Sequence, residues 1–280
     1  MYNQQAVPNL NDFYLTAQRA AKSAGSTIRR MSNQQSVVDF KQTRDMVTNV
    51  DRAAEQIIID IIQAKFPQHS ILAEERGEIH QPDSDFEWII DPLDGTTNFV
   101  HRFPAYCVSV GVAYRGEMVV GAIYDPLRDE LFCAKKGSGA FLNGRAIHVS
   151  DTNELGKSLL ATGFPYINDE LFELNMRIWV NLYGQTQGLR RAGSAALDLA
   201  NVACGRLDGF WEFSLKQWDM AAGTLLIQEA GGVVTGICGK PFNIGTVPHI
   251  IAGNGEIHEA MLHSILPYLA GIDLKKKQPC

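Results

Sequence analysis

Acidic residues carry the chemistry that this chain's spacing points to. Asp91 and Asp94 bracket Pro92 and Leu93 in the stretch Trp88-Ile89-Ile90-Asp91-Pro92-Leu93-Asp94-Gly95-Thr96-Thr97-Asn98-Phe99. The apolar run Trp88 to Ile90 reads as a short buried strand that ends at the two carboxylates. Pro92 lacks an N–H and has a fixed φ, so a stiff turn is expected, with the Leu93 carbonyl free of local bonding. Gly95 lets backbone come close to a ligand, and the N–H groups from Thr96 to Asn98 can begin a helix, whose N-terminus favours anions. Hard oxygen ligands beside a phosphate-sized cradle suit Mg²⁺, which prefers carboxylates plus substrate phosphate oxygens. A β-turn with an Asp helix cap accounts for the same residues taken alone.

Further acids stand at element ends. Ser70 to Ala73 reads as a strand running into Glu74-Glu75. Asp51 lies three residues after Thr48 at the start of a helix, where capping is the structural alternative. Glu212 closes the strand Gly209-Phe210-Trp211, and Asp219 follows Trp218 at a helix start. If neighbouring strands bring Glu74, Asp91 and Asp94 to one edge, each like-charge pair at ~4 Å and an effective dielectric of ~20 costs roughly 4 kcal/mol. Such acids protonate, separate or take up a cation, and a cation is the simplest resolution. Arg190-Arg191-Ala192-Gly193-Ser194-Ala195-Ala196 is a basic, glycine-containing turn into a helix. It fits an anionic or polyhydroxyl ligand, or equally a helix entry with solvated arginines. The seven histidines show no ligand spacing.

The elements that must position these acids follow from periodicity. Amphipathic helices are predicted over Asn11–Met31 and from Thr48 to before Pro67, with a short strand at Val37 to Lys41. Strands Tyr106–Tyr114, Met118–Asp125 and Glu130–Ala134 form an antiparallel meander, and Asn143-Gly144 signals a hairpin. Beyond it, strands at 159–162, 206–213 and 250–252 alternate with helices at 169–183, 194–204, 218–229 and 257–270, which indicates an α/β half. The change near Ser150 divides an N-terminal α+β subdomain, 1–150, carrying most of the acids, from a C-terminal α/β subdomain, 151–270. A flexible tail is expected over 271–280.

Composition excludes several classes. A 280-residue chain with 45% hydrophobic and 20% charged residues has ample core. A net charge of -6, with basic clustering only at Lys275 to Lys277, argues against direct nucleic-acid binding. No stretch approaches the roughly 20 apolar residues of a membrane span, and Met1 to Leu10 lacks a signal-peptide core. Five cysteines without close pairs suggest neither a disulfide framework nor a zinc knuckle, so reduced thiols and a cytoplasmic setting are expected.

The 88–99 stretch and Trp218-Asp219-Met220-Ala221-Ala222-Gly223 resemble the two signatures of the inositol monophosphatase family. Asp45-Met46-Val47-Thr48-Asn49-Val50-Asp51 and Glu74-Glu75 resemble its N-terminal acidic elements. The likeness runs from about Asp12 to about Ala270, and spans such as Ser194-Ala195-Ala196-Leu197-Asp198-Leu199-Ala200 are similar to its bacterial SuhB-type branch. The resemblance implies an α/β (α+β) fold layered as an α-β-α-β-α sandwich, of the inositol monophosphatase and fructose-1,6-bisphosphatase type. It also implies a homodimer with Mg²⁺-dependent, lithium-sensitive phosphatase activity.

On matching positions it implies one Mg²⁺ on Glu74, Asp91 and the Leu93 carbonyl, and a second on Asp91, Asp94 and Asp219. A weaker third would lie near Glu74. Glu74 and Thr96 would orient the attacking water, with Asp51 hydrogen-bonded to Thr96. Phosphate would rest on Asp94, Gly95, Thr96 and Thr97. Gly193, Ser194, Ala195 and Glu212, with Arg190 nearby, would face the alcohol. Inositol-1-phosphate is the implied substrate, alongside other polyol phosphates. Fructose-1,6-bisphosphate, histidinol phosphate and 3′-phosphoadenosine 5′-phosphate are the alternatives. SuhB-type members also act with the transcription antitermination machinery, so the resemblance extends to a protein-mediated role with RNA polymerase as partner.

Overall fold

Two β-sheets and three helical layers alternate through the molecule in a computed structural model that describes residues 9–32, 38–42, 45–165 and 170–270. The expected 271–280 tail, with Lys275 to Lys277 and Cys280, lies outside the described residues, as do Val37 and most of the Met1–Leu10 stretch.

The chain opens with α1 (Asn11–Met31), which buries Ala17, Ala20, Ala21, Ala24 and Ile28 along one face. A small antiparallel pair, β1 (Val38–Gln42) and β2 (Asp45–Thr48), leads into α2 (Asn49–Lys65). The Thr48 hydroxyl accepts from Val50 N and Asp51 N, and the Asp51 carboxylate accepts from Thr48 N at 2.8 Å. This reciprocal cap satisfies N–H groups that a helix start leaves orphaned. Strands β3 (Ser70–Ala73), β4 (Gly77–Ile79) and β5 (Phe86–Asp94) follow, then the short α3 (Thr96–Val100). The meander β6 (Cys107–Tyr114), β7 (Glu117–Asp125) and β8 (Glu130–Lys135) ends in the hairpin β9 (Ala140–Leu142) and β10 (Arg145–Ile147). The second half comprises β11 (Leu159–Thr162), α4 (Glu170–Tyr183), β12 (Gly188–Arg190), α5 (Ala195–Ala203) and β13 (Gly209–Glu212). It continues through α6 (Gln217–Glu229), β14 (Val233–Gly236), β15 (Ile250–Gly253) and α7 (Gly255–Leu269).

The first sheet has eight strands in the order β10-β9-β8-β7-β6-β5-β3-β4, and the second has five in the order β12-β11-β13-β15-β14. Helices α1 and α2 cover one face of the large sheet, α5 and α6 lie between the sheets, and α4 and α7 cover the far face of the small one. The layering is the expected α-β-α-β-α sandwich. Three apolar clusters fill its gaps: Ile58, Ile62 and Trp88 outside the large sheet, Leu199, Leu226 and Phe210 in the middle, and Ile178, Trp211 and Ile265 outside the small sheet. Both sheets are therefore covered on two faces, which explains strands such as β6 that are apolar throughout rather than alternating.

Several details differ from the sequence expectation. β5 does not stop at Asp91 but continues through Pro92 to Asp94. Its register against β6 slips there, Asp91 facing Ser109 and Asp94 facing Cys107, which is a bulge. Pro92 removes one ladder donor, and a bulge is where a strand tolerates that loss. Strands β4, β12 and β14 carry too few apolar residues to announce themselves. Cys107, Cys133 and Cys204 are free thiols, as expected.

The middle layer sits unusually close to the large sheet. Gly111 on β6 and Gly121 on β7 are cross-strand partners and make a flat spot beneath α6. A Cβ on Gly121 would lie 2.8 Å from the Ala222 carbonyl oxygen, and one on Gly111 would lie 2.9 Å from Ala221 Cβ. Backbone cannot rotate away as a side chain can. Gly121→Ala is therefore expected to destabilise the fold by about 1–3 kcal/mol, the usual range for overpacking. Urea denaturation checks this, and an unchanged midpoint would show that α6 shifts freely.

Candidate active site

A cavity of about 390 Å³ opens where the two sheets and the middle layer meet. Glu74 arrives from the end of β3, Leu93 and Asp94 from the β5 bulge, and Gly95, Thr96 and Thr97 from the turn into α3. The second half contributes Gly193, Ser194 and Ala195 from the entry to α5, Glu212 from the end of β13, and Asp219 from the first turn of α6. Strands β3 and β5 run parallel with Ala73 opposite Ile90, so their ends deliver Glu74 and Asp91 side by side.

Each acid has a distinct set of restraints. The Asp91 carboxyl accepts from Leu93 N at 2.9 Å, and Glu74 lies beside it at the end of the neighbouring strand. Burial, followed by the charges of Glu74, Asp94 and Asp219, holds Asp91 well above the ordinary carboxylate range. Asp94 turns one oxygen, Oδ2, toward the start of α5. It accepts from the Ser194 hydroxyl at 2.7 Å and from Ala196 N at 2.8 Å. Burial raises the Asp94 pKa while these donors work to lower it. Asp219 accepts from Lys216 N at 2.7 Å. Burial and then the Asp94 charge push it well upward. Glu212 is driven well upward by burial, then by Asp219 and Asp198, against a lowering from Arg191.

Thr96 and Asp51 form a separate pair. The Thr96 hydroxyl lies 2.8 Å from Asp51 Oδ1 and 3.1 Å from the Leu93 carbonyl oxygen, one proton between two acceptors. The Leu93 carbonyl is therefore not free of local bonding, because the bulge folds Thr96 back over it. Asp51 is fully buried and also closes the α2 cap, so a single carboxylate serves the helix start and Thr96 together. Gly95 is obligatory here. Its φ is +99°, and a Cβ would lie 2.8 Å from the Ala105 carbonyl oxygen.

Other expected residues are placed differently. Arg190 is exposed, and its guanidinium donates to the Leu189 carbonyl at 3.1 Å. It does not line the cavity; Arg191, in the loop just beyond β12, does. The Ser194 hydroxyl is engaged by Asp94. Sequence reasoning missed Asn98, whose amide donates to Ala105 O at 2.6 Å and Ala192 O at 2.8 Å and so joins α3 to the α5 entry. It also missed Glu55, which accepts from Glu75 N at 2.8 Å and fixes the turn after Glu74. Asp198, on the cavity wall, was passed over as one letter of a matched span. Glu55 and Asn98 sit within ordinary helical patterns, so only the fold reveals their long-range partners.

The donor set is all oxygen: carboxylates and one carbonyl, with no imidazole or thiolate aimed in. That chemistry selects a hard divalent cation. Among the described residues, no three acids stand together as a finished coordination shell. Mg²⁺ does not require a closed cage, since it keeps waters and takes substrate oxygens. Glu74, Asp91, Asp94 and Asp219 accordingly fit such an ion.

This layering, with an acid-walled cavity at the junction of the sheets, places the chain in the inositol monophosphatase family, whose model matches residues 9–269. Among its relatives is the Nus factor SuhB of Pseudomonas aeruginosa, 46% identical over 90% of this chain and 95% of that protein. The inositol-1-monophosphatase of Synechocystis is also 46% identical, over 89% of this chain and 87% of its own length. The crystal structure of the extragenic suppressor protein suhB from Bartonella henselae superposes with a TM-score of 0.88. It is 40% identical and covers 94% of this chain and 100% of its own.

The cavity floor depends on one buried histidine. Ser214, at φ +64°, donates its N–H to His249 Nδ1 at 3.0 Å, and Leu215 N donates to the Pro248 carbonyl at 2.9 Å. With Nδ1 accepting, the proton of the neutral ring is on Nε2, which has no partner among the described residues. Burial pushes the His249 pKa down to about 4 from its ordinary 6.5. A depressed histidine contributes stability above its unfolded pKa and loses it as pH falls toward the folded one. Between pH 6.5 and 4 the fold should lose up to about 3 kcal/mol through this group. His249→Asn, which retains an acceptor for Ser214, should flatten that part of the profile. Urea midpoints of both proteins at pH 7 and pH 4.5 test it, and parallel profiles would exclude His249 as the source.

Proposed function

We propose that this chain is a Mg²⁺-dependent phosphomonoesterase acting on inositol-1-phosphate and other polyol phosphates. The observation that carries the reading is the convergence of Glu74, Asp94 and Asp219, from widely separated segments, on one cavity beside the Gly95 turn, with Asp91 buried next to Glu74 behind its wall. Two-ion occupancy would use Glu74, Asp91 and the Leu93 carbonyl for one Mg²⁺, and Asp91, Asp94 and Asp219 for the other, with a third near Glu74. Bound there, Mg²⁺ supplies neutralising charge for the phosphoryl group and acidifies water.

The chain's own residues then have separable tasks. Glu74 and Thr96 hold the attacking water, and Asp51 fixes the Thr96 hydroxyl by accepting its proton in a hydrogen bond. The Gly95, Thr96 and Thr97 backbone receives the phosphate, whose hydrolysis depends chiefly on positioning and charge stabilisation. Glu212, with Gly193, Ser194 and Ala195, faces the alcohol. An adjoining chamber of about 350 Å³, walled by Phe164, Pro165 and Phe172, leaves room for larger alcohols. No helix among the described residues is long and apolar enough to cross a membrane. A cytoplasmic homodimer, inhibited by lithium, completes the reading.

Phosphate release should be fastest with inositol-1-phosphate in a panel containing fructose-1,6-bisphosphate, histidinol phosphate and 3′-phosphoadenosine 5′-phosphate. If inositol-1-phosphate ranks among the poorest, the named substrate is wrong while the ion site stands. Asp94→Asn keeps the side chain's shape but removes a charge, and should lower kcat/KM by at least about 100-fold, the scale of losing one electrostatic partner of the transition state. Mg²⁺ binding only the native state should raise Tm by linkage, and no shift at millimolar Mg²⁺ with phosphate present would count against the site.

The relatives that bear the name Nus factor support a second role, as a protein-binding accessory of transcription antitermination with RNA polymerase as partner. A pull-down of RNA polymerase by the Asp94→Asn protein separates the two roles. Retained capture with lost hydrolysis shows that they are independent, and no capture by either form removes the second.

A further inference from the structure

Asp198 lies on α5, deep in the cavity wall, and is 4% exposed. Its position near a helix start first suggests a cap. That duty is already met, since Asp94 accepts from both Ser194 and Ala196 at the α5 entry. Among the described residues the Asp198 carboxylate has no hydrogen-bond donor; Asp94 crowds it, and only Arg191 offers opposite charge. Across the cavity Glu212 is in the same condition, with Asp198 itself among the charges acting on it. Its carboxylate is seated against Gly163, where any Cβ would overlap it. Buried acids without donors are costly, and native proteins rarely retain them without a use. Neither acid's oxygens are sealed in: the one sealed, unpartnered side-chain atom among the described residues is His249 Nε2. Both acids therefore present open acceptors to whatever fills the cavity.

We propose that Asp198 is a specificity-determining residue that pairs with Glu212 to accept hydroxyl donors from two positions of a polyol leaving group. The inference rests on the phosphomonoesterase reading and deepens it. An alcohol without hydroxyls leaves both acceptors desolvated and unpaired, which is the arrangement that discriminates most strongly between otherwise similar ligands.

The test compares inositol-1-phosphate with cyclohexyl phosphate, which has the same ring and ester but no hydroxyls. The ratio of their kcat/KM values is measured for the wild type, Asp198→Asn and Asp198→Leu, with Tm as a check on folding. Losing an acceptor that is charged should cut the ratio about 10-fold for asparagine, which keeps one oxygen, and about 100-fold for leucine, chiefly through KM for inositol-1-phosphate. Tm should hold or rise with leucine, because an unpaired buried charge is removed. An unchanged ratio, or equal losses on both substrates, overturns the assignment of Asp198 while leaving phosphatase activity in place. A wild-type protein that hydrolyses neither substrate overturns the underlying activity instead.

Discussion

Mutual repulsion among carboxylates at the seam of the two sheets is the constraint that organises this molecule. Glu74, Asp91 and Asp94 come from the large sheet, Asp219 from the middle helical layer and Glu212 from the small sheet. A neutral hydrogen bond returns only about 1 kcal/mol net, less than the repulsion between two such charges a few ångströms apart. The protein answers with different devices at each acid. Asp91 takes the Leu93 N–H, Asp94 leans on the N–H groups at the start of α5, and Asp219 takes the Lys216 N–H. Each device leaves oxygens available, which is why the set suits an ion that arrives with its own waters and substrate.

Holding charges against repulsion requires a stiff frame, and the middle layer supplies it. Helix α6 lies on the Gly111–Gly121 flat spot, and a Cβ on its own Gly223 would lie 2.5 Å from Leu199 Cβ of α5. The two helices are thus packed to backbone distance on the sheet and nearly so on one another. Asp94 and Asn98 then reach from the large-sheet side to the α5 entry, so the acid cluster also fastens the halves of the chain together. Function and fold share the same contacts here. A change that relaxed the site would loosen the joint between layers as well.

Much of this was legible in the sequence because the main elements are locally consistent. Periodicity located α1, α2 and the β6–β8 meander to within a residue or two, and the Asn143-Gly144 signal marks the real turn between β9 and β10. The acids stood out because each stands where an element ends or begins. What escaped notice depended on tertiary context. The three-residue strand β12 has no periodicity to read, so nothing in the sequence says that Arg191, just past its end, rather than Arg190 reaches the cavity. The continuation of β5 past Pro92 is visible only once β6 is seen to accommodate it with a bulge. Glu55, Asn98 and His249 look like ordinary polar residues until their partners, far off in sequence, are in view.

The cavity's acids divide into two groups by what can neutralise them. Glu74, Asp91, Asp94 and Asp219 offer hard oxygen donors, and the Mg²⁺ of the proposed function would relieve their repulsion. Asp198 and Glu212 stand toward Arg191, where one guanidinium faces two carboxylates and no backbone donor has been supplied. Leaving them unsatisfied weakens the empty protein. A helix N–H or a second arginine would have removed that strain at little steric expense, but it would also have occupied the lone pairs. An unsatisfied wall makes sense where binding must depend on what the ligand carries, because the protein then gains most from the partner that brings the missing donors.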